Sequence, residues 1–145
     1  MNFAQSIQNN IANVLQEVND NLNMVCVEIF KDVVLESPNP ATGDYSSGQL
    51  INSWYPAQNK FSSDISTTTD DYGADSYNRI YDVRDYKAFL KKDGVVTLTN
   101  NHDYAYRVEA LGWPKGESSG QWTWNGATKY AMVDKALVKA AAKFL

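Results

Sequence analysis

Apolar residues in the first quarter of the chain fall at Phe3, Ile7, Ile11, Val14, Val18, Leu22, Val25, Ile29 and Val33. Every step is three or four residues, the spacing of one face of an α-helix. Neither Pro nor Gly occurs before Pro38, so the pattern predicts a helix of more than 30 residues, roughly 45 Å long at 1.5 Å per residue. Asn19, Asp20, Asn21 and Asn23 are weak helix formers and allow a bend. Two readings stay open: a helix that reaches past its own domain to another subunit, or a two-part helix folded on itself.

The stretch Ser37 to Gly48 holds two prolines and two glycines and reads as a loop. Gln49 to Tyr55 is extended or briefly helical and leads into a strand that Pro56 ends or marks as an edge. Residues 57–77 are rich in Ser, Thr and Asp and predict a long, mobile polar loop. Arg79 to Leu90 shows helical steps, stopped at Gly94. Val95-Val96-Thr97-Leu98-Thr99 is the clearest strand, β-branched and alternating, and is expected to be central. A turn over Asn100 to Asp103 precedes Tyr104 to Leu111, read as a helical turn closed by Gly112, with Tyr104, Val108 and Leu111 packed beneath the strand.

Residues 113–120 read as a second loop and Gln121 to Trp124 as a short strand before the Asn125-Gly126 turn. A final helix follows, with Tyr130, Val133, Leu137, Ala140 and Phe144 on one face. Lys135, Lys139 and Lys143 lie toward its carboxyl end, where the helix dipole favours cations. The expected architecture is α+β: a long N-terminal helix and a C-terminal helix packed on a small, mostly antiparallel sheet. Residues 1–145 form one domain in this reading.

Composition adds little to the fold but narrows the function. With 43% apolar and 21% charged residues the chain is ordinary globular material. Nine Tyr and four Trp are a rich supply for cores and interfaces alike. The net charge is −4, and the stretch Asp64 to Asp85 accounts for all of it, with six aspartates against Arg79 and Arg84. Such a stretch is a solvated loop or a surface built not to hold DNA. A single cysteine, Cys26, excludes an intrachain disulfide and suits a reducing compartment. The start of the chain lacks the basic and apolar regions of a signal peptide, and no apolar run approaches the roughly 20 residues of a membrane span. Synthesis in the cytoplasm and no membrane partner are expected.

No catalytic constellation emerges. His102 is the sole histidine and sits beside Asp103 in a turn, where sequence neighbours do not form a relay. Cys26 lies inside an apolar run and reads as a small core hydrophobe rather than an activated thiolate. No phosphate loop, dinucleotide motif or zinc spacing is present. The sequence therefore predicts no catalytic residues, no metal and no cofactor. Trp122 and Trp124 project from one face of a strand, which serves either a sugar-stacking platform or packing.

Two stretches carry a family likeness. Ser37-Pro38, Ala41-Thr42-Gly43 and Gly48-Gln49-Leu50-Ile51-Asn52-Ser53-Trp54 form the first. The second runs from Val96 through Asn100, Tyr104-Ala105 and Val108-Glu109 to Gly112-Trp113. In order and rough spacing this chain resembles the tail completion, or head–tail joining (neck), proteins of long-tailed bacteriophages. The likeness follows the layout over about 80% of the chain, carried by about thirty residues. It departs from the family pattern in the five residues Asp44 to Gly48 and in the tip after Gly112.

The resemblance implies a structural virion protein without enzymatic activity. Such a protein forms a ring, commonly a hexamer, that joins the tail to the head. Its neighbours are further copies of itself, the head–tail connector or tail terminator, and the tail tube protein, and DNA passes through the lumen without specific binding. On this expectation Tyr45, Trp54, Trp113, Trp122 and Trp124 serve an assembly interface, and Asp64, Asp70, Asp71 and Asp75 form an acidic loop facing the lumen. Alternatives are a carbohydrate- or protein-binding module using exposed tryptophans, a tail terminator or other minor tail protein, and a hydrolase using Cys26 or the aspartates.

Overall fold

The computed structural model describes residues 2–38, 48–82, 94–103, 105–111, 115–116, 122–123 and 131–145. Helix α1 spans Phe3–Leu35. It starts where Asn2 and Gln5 satisfy each other's backbone: the Asn2 Oδ1 accepts the Gln5 N–H at 2.9 Å and the Gln5 Oε1 accepts the Asn2 N–H at 3.0 Å. It ends where the Ser37 hydroxyl donates back to the Val33 carbonyl at 3.0 Å, just before Pro38. Asn19 to Asn23 do not interrupt it. Their propensity deficits are small beside the cooperative cost of ending and restarting a helix, and the Gln16 amide bridges to Asp20 at 2.8 Å across one turn.

Strand β1 (Trp54–Gln58) pairs antiparallel with β2 (Val96–Asn100), from Trp54 opposite Asn100 to Gln58 opposite Val96. Among the described residues this sheet has two strands, so β2 is half of a pair rather than a central strand. Pro56 is tolerated because, among the described residues, β1 has a neighbour on one side only. Helix α2 spans Ala74–Asp82, beginning five residues before the expected Arg79 because Asp70 caps it. Helix α3 spans Ala105–Leu111, as its apolar spacing predicts. A second pair, β3 (Lys115–Gly116) and β4 (Trp122–Thr123), is antiparallel. The architecture is α+β, with long helices at both ends of the chain.

Helix α4 spans Met132–Phe144 and runs antiparallel to α1: the Lys143 ammonium reaches Glu28 at 2.7 Å, while Lys139 and Lys135 reach Glu36. Its buried face is Met132, Ala136 and Ala140, and Val133 and Leu137, expected on that face, are exposed. The phase is set at its start, where Ala131 takes a left-handed conformation (φ 56°) and the Glu109 backbone and carboxylate hold the first N–H groups. The core joins Val33 and Val34 of α1 to Leu50, Ile51, Trp54, Ile80, Val108, Met132 and Ala136. No helix among the described residues is long and apolar enough to cross a membrane.

Residues 59–73, within the polar loop expected over 57–77, are tied to the sheet rather than hanging from it. The Thr97 hydroxyl donates to the Lys60 carbonyl at 2.6 Å, and the Asn101 amide donates to the carbonyls of Ser62 (2.8 Å) and Asp64 (3.1 Å).

Candidate functional site

The two stretches that carry the family likeness converge on one buried polar knot. Gly48 opens it with φ +82°, a conformation L side chains rarely adopt, and a Cβ there would stand 2.7 Å from the Asp70 carbonyl oxygen. Asn52 is fully buried. Its amide donates to the carbonyls of Gly48 (2.9 Å) and Asp70 (2.8 Å), and its Oδ1 accepts the Asp75 N–H at 3.2 Å. The Ser76 hydroxyl donates to the Ile51 carbonyl at 2.7 Å and accepts the Trp54 N–H at 3.0 Å. Arg79 donates to the Asn52 carbonyl at 2.6 Å and lies over the Tyr55 ring, 3.8 Å from its centroid. Each polar group taken out of water here finds a partner, which is the condition for burying it without a large loss of stability.

The second stretch locks onto the first. The Asn100 amide donates to the Leu50 carbonyl at 2.9 Å, and its Oδ1 accepts the His102 N–H at 3.0 Å. Val108 fills the core, and Glu109 caps α4, its carboxylate accepting the Val133 N–H at 3.3 Å. The Asn, Val and Glu of this stretch thus have structural work within the monomer.

Of the aromatic residues expected at an assembly interface, Trp54 is instead in the core, 6% exposed, with its indole N–H donating to the Ser37 hydroxyl at 2.8 Å. The loop-to-strand turn at Ser53 aims it inward between α1 and α2, which the alternating pattern alone does not reveal. Tyr45, Trp113 and Trp124 lie outside the described residues, as does the side chain of Trp122, whose backbone forms β4.

The four aspartates of the expected acidic loop divide. Asp70 and Asp75 are built into the knot: the Asp70 carboxylate accepts the N–H groups of Tyr72 (3.0 Å) and Ala74 (2.7 Å), and Asp75 accepts the Thr68 hydroxyl and faces Arg79 at 3.7 Å. Burial pushes the Asp70 carboxyl up, but these N–H donors, with Asn52 and Gly73, outweigh it and hold the group below the usual carboxylate range. Asp64 is exposed and takes the Ser62 hydroxyl at 3.1 Å, and Asp71 is exposed in the turn before α2.

Burial pushes the Cys26 thiol up to about 11, so it is protonated at neutral pH. Burial also lowers His102, with Asp103 opposing, which leaves a neutral imidazole at pH 7. Among the described residues no group of three or more His, Cys, Asp or Glu side chains converges to hold a metal ion.

The feature that sequence reasoning only half found is a surface. Along the amino-terminal half of α1, Phe3, Ile7, Ile11, Val14, Leu15 and Val18 are between 42% and 82% exposed. The helical spacing announced one apolar face, but not that half of it lies uncovered. No family model, curated protein or solved structure matches this chain.

Proposed function

We propose that this chain is a structural subunit of a phage virion, one copy in a ring at the neck or tail end that joins the tail to the head connector. The observation that carries the reading is the convergence of its two family-like stretches on one knot, through the Asn100–Leu50 hydrogen bond and the pairing of Trp54 with Asn100. Residues that fix a fold are those a family of ring subunits must share, while the surfaces that meet neighbours are free to differ. In this reading the ring is a hexamer and contacts the connector or tail terminator on one side and the tail tube on the other. DNA passes through it. The exposed Asp64 and Asp71 face the channel, where their charge keeps DNA from adhering.

A quantitative peptide count of this chain in purified phage particles, referenced to the major capsid subunit, tests the reading. One ring's worth of copies per particle supports it. Absence of the chain from particles removes it. In a density map of the particle, Asp64 and Asp71 on the outer surface would remove the channel assignment alone.

A further inference from the structure

The apolar face of α1 follows a strict rule. From Phe3 to Val33 its steps are four, four and three, repeated, so that Phe3, Val14 and Val25 stand eleven residues apart, as do Ile7, Val18 and Ile29. An 11-residue repeat advances 3.67 residues per turn and keeps one stripe in register with a partner helix along its length. The carboxyl-terminal part of α1 is covered by its own domain, where Cys26, Val33 and Val34 are buried. The stripe from Phe3 to Val18 continues beyond that cover and stays 42% to 82% exposed.

Charge restricts what can cover it. Between Met1 and Met24 the only ionisable side chains are Glu17 and Asp20, and ten Asn and Gln residues make up most of the polar flanks. A membrane-surface helix carries Lys and Arg on its polar face, and a nucleic-acid contact needs them as well. This segment has neither. Pairing of unlike helices is usually written in flanking charges, and these are missing too. A neutral, amide-flanked face meets its own copy without like-charge repulsion, and charge depletion is the mark of an interface centre.

The spacing also fixes a direction. In an antiparallel pair centred beside Ile11, Phe3 meets Val18 of the second copy, Ile7 meets Val14, and Ile11 meets Ile11. Glu17, on the flank of the stripe, then lies near the amino end of the other helix, where the dipole favours negative charge. A parallel pair would set the two copies of Glu17 side by side and align the dipoles. We infer that two copies of this chain associate through the amino-terminal half of α1, packed antiparallel about Ile11. The overlap, about 24 Å long, buries on the order of 500 Å² per copy, below the ~800 Å² of a standard interface. The pair therefore forms and dissociates with concentration. It is a two-fold contact, separate from those that would close a ring, and does not rest on the virion reading.

Sedimentation equilibrium of the purified full chain, from low to high micromolar concentration, is the test. A monomer–dimer equilibrium is expected, weakened at least about tenfold in Ile7→Gln/Ile11→Gln and unchanged in Leu137→Gln, an exposed site on α4. Orientation is read in a Cys26→Ala background with a short bifunctional maleimide: Ile11→Cys should cross-link copy to copy, and Phe3→Cys should not. A monomer at every concentration, as expected if a different protein covers the stripe, overturns the inference. So does a dimer indifferent to Ile7→Gln/Ile11→Gln, or preferential cross-linking through Phe3→Cys. Virion counting can fail while this association holds, and the reverse, so the two proposals are judged apart.

Discussion

The Asn100 side-chain amide donates to the Leu50 carbonyl oxygen at 2.9 Å, joining residues fifty positions apart in sequence. Through this bond the end of β2 grips the turn that launches β1, and the paired strands inherit a fixed register from Trp54 opposite Asn100. Asn52 on the same turn grips the amino end of α2. Two asparagines therefore set the relative positions of sheet and helix, in a place where a hydrophobic contact would leave backbone groups unpaired.

Asn52→Ala removes the side-chain donor to the Gly48 and Asp70 carbonyls and the acceptor of the Asp75 N–H at a fully buried site, with the Gly48 carbonyl keeping the Asn52 backbone N–H at 3.2 Å. Stability should fall by about 2–4 kcal/mol, read as a lower urea midpoint at unchanged slope. A loss below about 0.5 kcal/mol would show that water or neighbouring groups take over the bonds.

Gly48→Ala should cost about 2 kcal/mol or more, because the positive φ and the approach to the carbonyls of Thr69 and Asp70 both oppose a Cβ. Backbone atoms cannot swing aside as a side-chain tip can. Thermal unfolding checks this, and an unchanged midpoint would mean that the turn shifts at no cost.

The acid limb of stability should depend on Asp70. Its folded-state pKa lies below the unfolded value, so the unfolded chain takes up the proton first as pH falls. The stabilisation is complete above the unfolded pKa, near pH ~4, and disappears as pH drops through the folded value. Glu28, held low by hydrogen bonds from Lys143 and Lys31, acts in the same direction. Asp70→Asn should lower stability at neutral pH and flatten the decline below pH ~4, by denaturant titration across pH. An equally steep acid limb in Asp70→Asn would assign it to other carboxylates.

Cys26 should resist alkylation in the folded protein. Burial holds the thiol at about 11, so both access and thiolate are lacking at neutral pH. Labelling by iodoacetamide should follow the opening of the fold and accelerate with urea. Rapid labelling without denaturant would instead support a reactive thiol and revive a hydrolase.

Glu109→Ala should loosen the first turn of α4, which receives its cap from that carboxylate because Ala131 offers none. A loss of about 1 kcal/mol is expected, with faster hydrogen exchange confined to the start of α4. Exchange unchanged there would show that the Glu109 backbone carbonyl suffices.

The sequence by itself determined the elements whose signals are local. The spacing from Phe3 to Val33, free of Pro and Gly, specified α1, because helix periodicity is a property of neighbouring turns. The β-branched run at 95–99 located β2, and the spacing of Tyr104, Val108 and Leu111 located α3. Cys26 was legible as buried from its apolar neighbours. Tertiary structure alone decided which faces meet. Trp54 became core rather than surface because the Ser37 hydroxyl, 17 residues away, receives its indole N–H and Val33, Val34 and Ile80 join it in the core. Asp70 and Asp75 passed from a polar loop into a structural knot because Asn52 meets them there. Helix α4 buries Met132 and Ala136 rather than Val133 and Leu137 because Glu109 and Ala131 set its phase. The exposure of Phe3 to Val18 is decided the same way, since periodicity draws an apolar stripe but only the length of the body beside it determines where the cover ends.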